Sequence, residues 1–220
     1  MLKKLIKVAF LDRDGVINED LNYVHKKNKF ILKEGIFKLL NILSKENYSI
    51  IIITNQSGID RGLFTESEYE KLTQYYLSIF NNKGIHILDI FHCPHHPSFS
   101  TPPFNNCSCR KPKPGLFINA KIKHNIDMNN SLAIGDSLRD LEAAYLSGVK
   151  KRILISEENL NSKYVTHRFD NISACSKNKW KDVTIENLIK CISIFLRLKF
   201  FIKSDVWSLL PSSTIINSQE

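Results

Sequence analysis

Four short segments of this 220-residue chain carry side chains suited to chemistry at phosphorus. The first reads Phe10-Leu11-Asp12-Arg13-Asp14-Gly15-Val16-Ile17-Asn18. Two carboxylates at i and i+2 leave an apolar run, and Gly15 lets the chain turn. Phosphoryl transfer through an acyl phosphate needs one carboxylate to attack phosphorus. It needs a second to protonate the leaving alcohol and then to activate water. A hard cation must bridge carboxylate and phosphate, because two anions otherwise repel. The same string taken alone serves equally well as a strand-end turn or a calcium-type loop.

The second segment is Ile51-Ile52-Ile53-Thr54-Asn55-Gln56-Ser57-Gly58. A hydroxyl at a strand end, followed by backbone N–H groups, can hold a phosphoryl oxygen, although a polar turn after a strand looks the same. The third, Cys109-Arg110-Lys111-Pro112-Lys113-Pro114-Gly115, sets cations just before a helix start, where an anion is favoured. The fourth, Ile134-Gly135-Asp136-Ser137-Leu138-Arg139-Asp140, holds acids at i and i+4 that can complete a cation site or cap a helix. A separate cluster, Cys93-Pro94-His95-His96 and then Cys107-Ser108-Cys109, supplies Cys-x-His and Cys-x-Cys. Four such ligands suffice for closed tetrahedral zinc, with His92 and His96 as alternatives and unligated loop thiols as the plain reading. Cys175 and Cys191 read as core residues.

Stepping along the chain, apolar runs at 8–11, 49–53, 85–91, 131–134 and 152–155 predict buried strands. Helical spacing predicts helices over 35–47, 65–82, 114–124 and 138–147. Thr65-Glu66-Ser67-Glu68 is a capping box, and Pro114 suits a first helical turn. The proline-rich stretch 93–114 reads as an irregular loop. Strand and helix alternate, which predicts an α/β fold: a Rossmann-like parallel sheet with helices on both faces. Asp12, Thr54 and Asp136 then fall at the carboxyl ends of strands, where ligands bind in such sheets. Residues 183–199 have the pattern of one more amphipathic helix.

The composition, 43% hydrophobic and 24% charged, suits a chain that buries its own core. The net charge of +9 is spread along the sequence without a dense basic block, so it favours anionic small substrates over nucleic acid. No apolar stretch has the length of a membrane span, and the run before Asp12 is too short for a signal peptide. The expectation is a cytoplasmic monomer acting on a small phosphorylated substrate, with no nucleic acid or membrane partner.

The order Asp-x-Asp, Thr, Lys, Gly-Asp-x-x-x-Asp, carried by Asp12, Asp14, Thr54, Lys111, Asp136 and Asp140, resembles the haloacid dehalogenase-like superfamily. The resemblance covers roughly residues 7–156. It implies Asp12 as nucleophile, Asp14 as general acid and base, and Thr54 and Lys111 as stabilisers of the transferring phosphoryl group. It implies Mg2+ held by Asp12, the Asp14 backbone carbonyl and Asp136, with Asp140 orienting the site. The cysteine loop directly before Arg110-Lys111 resembles the branch of D-glycero-D-manno-heptose 1,7-bisphosphate 7-phosphatases and histidinol-phosphate phosphatases. Tyr23-Val24-His25, Thr54-Asn55-Gln56-Ser57-Gly58-Ile59 with Arg61-Gly62, and Cys93-Pro94-His95-His96-Pro97 favour the heptose enzymes. This implies Zn2+ on Cys93, His95, Cys107 and Cys109. It implies substrate contacts at Arg13, at Asp20, Leu21, Asn22 and Tyr23, at Asn55, Gln56 and Ser57, at Arg110, and at Ser137, where the family often has Lys. The intervals between motifs leave no room for a large cap domain. Residues 1–182 are read as the phosphatase domain with its zinc-binding loop at 93–109, and 183–220 as a C-terminal helix and extension of no assigned role. A histidinol-phosphate phosphatase and a non-catalytic zinc-bearing binding protein are the competing readings.

Overall fold

The structure, a computed structural model, describes residues 4–158 and 160–177. The helix expected at 183–199, the extension beyond it and Cys191 lie outside the described residues. β1 (Val8–Leu11), α1 (Ile36–Lys45), β2 (Ser49–Asn55), α2 (Glu66–Asn82), β3 (Ile87–Cys93) and α3 (Gly115–His124) come first. β4 (Leu132–Gly135), α4 (Leu138–Leu146), β5 (Lys151–Ile155), β6 (His167–Phe169) and α5 (Ile172–Ser176) follow. The strands form one sheet in the order β3-β2-β1-β4-β5-β6. All neighbouring pairs are parallel.

β1 and β4 are buried along their whole length, as strands covered on both faces must be. On one face Val8 and Phe10 of β1, Ile51 and Ile53 of β2 and Ala133 of β4 join one cluster. Leu116, Phe117 and Ala120 of α3 and Ala143 and Ala144 of α4 complete it. The period of two sends Ala9, Leu11, Ile50 and Ile52 to the other face, all within 1% of full burial. There α1 contributes Leu39, Leu40 and Leu43, each with no exposed surface. α2 meets α1 through Phe37 and Phe80, with ring centroids 6.0 Å apart in an edge contact. The capping box at the start of α2 is formed: Glu68 N–H donates to Thr65 Oγ1 at 3.2 Å, and Thr65 N–H donates to Glu68 Oε2 at 2.8 Å.

Three differences from the sequence reading bear on the site. β2 runs two residues further than expected, so Thr54 lies within the strand rather than past it. β3 starts at Ile87 and ends at Cys93, which fixes the first candidate metal ligand on the sheet itself. β6 and α5 were not anticipated: His167–Phe169 is a half-buried edge strand without an apolar run, and α5 is a single capped turn and a half. Cys175 is buried, as read. Among the described residues no helix is long and apolar enough to cross a membrane.

Phe10 is 1% exposed and packs on Phe117 with centroids 4.9 Å apart. Phe10→Ala should cost about 3–5 kcal/mol through lost burial and the cavity left behind. Equilibrium urea unfolding checks this; an unchanged midpoint would mean that β1 is not held by this contact.

Candidate active site

The strand order reverses between β1 and β4, and connections leave to opposite faces there. That crevice at the carboxyl edge is where an open α/β sheet binds its ligand. Asp12 follows β1 directly and its N–H donates to Ile134 O of β4 at 3.0 Å, so Asp12 is fixed to the sheet. Asp136 follows β4. A cavity of about 300 Å³ opens above them. Of the residues expected from the sequence, Asp12, Asp14, Asp20, Asn22, Tyr23, Thr54, Asn55, Gln56, Ser57, Arg110, Lys111 and Asp136 line it.

Lys111 sits at the centre. Its Nζ lies 2.9 Å from Asp12 Oδ1 and 2.8 Å from Asp140 Oδ1, and donates to Ile53 O at 2.9 Å. The side chain is 2% exposed. Burial works against the ammonium, but Asp12 and Asp140 raise its pKa above the ordinary value. The Asn55 carboxamide docks the backbone of this residue from both sides: Lys111 N–H donates to Asn55 Oδ1 at 3.1 Å, and Asn55 Nδ2 donates to Lys111 O at 3.2 Å. Asp140, read from the sequence only as an orienting group, is thus the second partner of the lysine. It also accepts from Ser137 N–H at 3.1 Å, which caps α4.

Asp14 is held by donors on every side. Arg13 reaches it through NH2 at 2.8 and 3.0 Å and through Nε at 3.2 Å. Asn18 Nδ2 donates at 2.9 Å and Gln56 Nε2 at 3.0 Å. Gln56 also donates to Thr54 Oγ1 at 2.8 Å, which leaves the Thr54 hydroxyl proton free for an oxygen in the cavity. Arg13 has no exposed surface, and its NH2 also donates to Val24 O at 2.9 Å. The structure therefore does not bring the Arg13 side chain to the cavity, where a substrate contact was expected. The guanidinium turns inward and clamps Asp14, because Asp12 and Asp14 flank it on a loop whose next turn packs over Val24. Leu21 and Ser137 are also outside the cavity lining: Leu21 is exposed and lines a neighbouring hollow along residues 20–29, and Ser137 serves as a helix cap.

Asp12, Asp136 and Asp140 bring carboxylate oxygens within 4.8 Å of one another. Burial first, then Asp140 and Asp136, push the Asp12 carboxyl up to about 8 against the lowering pull of Lys111. Burial, then Asp140, pushes Asp136 up to about 7, with Lys111 opposing. Three acids facing one lysine leave an excess of buried negative charge, and oxygen donors of this kind fit a hard divalent cation. The packing admits no side chain here: Gly15 has φ +84°, and a Cβ on it would lie 1.9 Å from Asp136 Oδ2.

The second cluster lies at the cavity rim. Cys93, His95, Cys107 and Cys109 place their ligand atoms within 4.8 Å of one another. Cys93 Sγ is 3.7 Å from Cys107 Sγ, 3.0 Å from Cys109 Sγ and 3.8 Å from His95 Nδ1. Tetrahedral zinc with bonds of about 2.3 Å would separate its sulfurs by roughly 3.8 Å, so the Cys93–Cys107 spacing fits directly and Cys109 needs a small outward shift. Burial raises the Cys93 and Cys109 thiols. At Cys107 burial also acts upward, but hydrogen bonds led by that with Cys109 bring it down to about 7. Such a set of packed thiols beside one imidazole is the donor chemistry of a structural metal. His92 is instead 2.7 Å from Glu66, and His96 turns to Arg61.

Three cavity residues, Gly58, Arg61 and Arg139, were not among the residues assigned from the sequence. Arg139 follows from its place in the first turn of α4, three residues after Asp136. For Arg61 the sequence offered only its place in the segment that carries the resemblance.

Comparison with known proteins accords with this geometry. The sequence model of the polynucleotide kinase 3 phosphatase family matches residues 7–187. The chain is 44% identical over 151 residues to the D-glycero-alpha-D-manno-heptose-1,7-bisphosphate 7-phosphatase of Photorhabdus laumondii, covering 68% of this chain and 82% of that one. It is 44% identical over 148 residues to the D-glycero-beta-D-manno-heptose-1,7-bisphosphate 7-phosphatase of Vibrio cholerae, covering 67% and 80%. Among solved structures it is similar to the D,D-heptose 1.7-bisphosphate phosphatase of B. bronchiseptica complexed with magnesium and phosphate. The TM-score is 0.67 at 28% identity, covering 78% of this chain and 97% of that chain. The chain belongs to the polynucleotide kinase 3 phosphatase family of haloacid dehalogenase-like phosphoric monoester hydrolases, in the branch of the D-glycero-D-manno-heptose-1,7-bisphosphate 7-phosphatases.

Proposed function

We propose that this chain removes the 7-phosphate of D-glycero-D-manno-heptose 1,7-bisphosphate through an acyl phosphate on Asp12, with Mg2+ at the carboxylate cluster and Zn2+ in the rim loop. The observation that carries this reading is the buried contact of Lys111 Nζ with Asp12 Oδ1 at 2.9 Å, in a cavity that Asp14, Thr54 and Asp136 also line. The curated relatives supply the substrate.

An Asp12 carboxylate oxygen attacks phosphorus, and the bond from phosphorus to the sugar oxygen breaks. Asp14 gives its proton to that departing oxygen. A water then loses a proton to Asp14 and attacks the same phosphorus; the bond to Asp12 breaks and inorganic phosphate leaves. Thr54 Oγ1 and Lys111 Nζ steady the phosphoryl oxygens. All three protons of Lys111 are engaged in the resting site, so a phosphoryl oxygen would take over the contact now made with Asp12. Magnesium, held by Asp12, Asp136 and the Asp14 carbonyl, would offset the charge gathered between carboxylates and phosphate. Zinc, closed in by four protein ligands, would fix the loop and leave no position for water. The reaction belongs to a single chain, in its 1–182 domain, in the cytoplasm, where the thiols of the cluster stay reduced.

Phosphate release from the heptose bisphosphate should require added magnesium. Asp12→Asn, which changes little volume, should lower turnover on the order of a thousandfold or more while leaving the unfolding midpoint close to wild type. Substantial magnesium-dependent turnover by this variant would remove Asp12 as nucleophile. A parallel assay on histidinol phosphate should give far slower release.

Metal analysis should find about one zinc per chain, and Cys107→Ser or Cys109→Ser should lose it together with thermal stability. Zinc content unaltered in both variants would show that the ligand set is wrong.

A further inference from the structure

Arg61 stands in the loop after β2, far in sequence from Arg110, yet both line the cavity that holds Asp12. Both are tethered to the rim loop at neighbouring residues. Arg110 NH1 donates to His95 O at 3.2 Å, and Arg61 NH2 lies 2.7 Å from His96 Nε2. The Arg61 guanidinium carbon is 4.9 Å from the centre of the Phe99 ring and 5.7 Å from that of Tyr23. Rings at these distances hold a guanidinium by its faces and leave its in-plane N–H groups to point elsewhere. The Arg61 Nε atom is buried and has no hydrogen-bond partner. Neither arginine forms an ion pair with a carboxylate among the described residues. Asp60, next in sequence, is engaged by the Ser100 hydroxyl and by His96 N–H.

Two guanidinium groups on one cavity, both tied to the rim loop at neighbouring residues and neither ion-paired with a carboxylate among the described residues, suit an anion. The catalytic phosphoryl group is already provided with Lys111, Thr54 and the carboxylate-bound cation, so this anion is a different one. We infer that Arg61 joins Arg110, which the family resemblance already sets against the substrate, in holding the phosphate that is not hydrolysed, with Tyr23 and Phe99 setting the plane of the Arg61 fork. The inference rests on the bisphosphate reading given above. A planar fork grips two phosphate oxygens at once, and a phosphate remote from the reacting bond contributes mainly to binding that is equal in ground and transition states. Arg61 is thus a specificity residue, and the rim loop acts on selectivity through Phe99 and His96.

The experiment measures kcat/KM on heptose 1,7-bisphosphate and on the matching heptose 7-phosphate, for the full chain and for Arg61→Met, Arg61→Lys and Phe99→Leu. Wild type should prefer the bisphosphate. Arg61→Met should lower the bisphosphate-to-monophosphate ratio roughly ten- to a hundredfold, chiefly through KM. Arg61→Lys should recover part of it, and retained zinc would show that the loop stays assembled. Should Arg61→Met fail to fold, Phe99→Leu at an exposed ring decides, with a severalfold fall expected. An unchanged ratio, or a wild type without preference for the second phosphate, overturns the inference and leaves the reaction standing. Absence of wild-type turnover on either heptose ester overturns the functional reading itself.

Discussion

The buried ammonium of Lys111 is the constraint around which the rest is arranged. An unpaired charge at this depth would cost several kcal/mol, so it must be met by opposite charge and hydrogen bonds. Asp12 after β1, Asp140 in α4 and the Ile53 carbonyl of β2 meet it. Three elements of the sheet edge are thereby drawn to one atom. Removing any partner leaves a charge uncompensated, which is why the nucleophile, the lysine and the fourth motif behave as one unit. The cost of assembling them is borne by the two apolar faces of the sheet, whose strands are buried nearly end to end.

One lysine does not neutralise three acids. Burial, and after it the nearness of Asp140, pushes the Asp12 and Asp136 carboxyls up. Gathered carboxylate oxygens of this kind fit a hard divalent cation. The same close approach leaves room for nothing but hydrogen at Gly15, where the first and fourth motifs touch. Asp14 is tied to Arg13 at 2.8 Å while still lining the cavity.

Much of this was legible in the sequence because two periodicities and four strand ends fix where the motifs fall. The runs at 8–11 and 131–134 could be nothing but covered strands, and their ends place Asp12 and Asp136 side by side. Where an expected contact falls outside the cavity lining, the reason is local. The resemblance implies a substrate contact at Arg13, whose side chain turns inward. Its direction depends on the cavity behind Asp14 and on Val24, which no spacing reveals. Leu21 was taken with its neighbours in the 20–23 strap, and the pair of left-handed residues Asn22 and Tyr23 turns the strap so that only some of it faces inward. The strand His167–Phe169 has no apolar pattern because it closes the sheet at an edge and is half exposed on both sides. Arg61 escaped assignment because its role depends on rings from residues 23 and 99, which only the fold brings together.

The loop between Cys93 and Cys109 has a consequence for the thermodynamics of capture. A rim of this length, free to move, would give up conformational entropy each time it closed on a ligand, at about 1–2 kcal/mol for every residue fixed. Here one end is part of β3, the other is docked to Asn55, and four metal-ligand residues join the two. A metal bound there would cross-link the rim during folding, so its ordering would be settled before any ligand arrives. Association would then draw little on the affinity of the cavity's contacts. A mobile lid trades affinity for enclosure; this rim gives up enclosure and keeps the affinity.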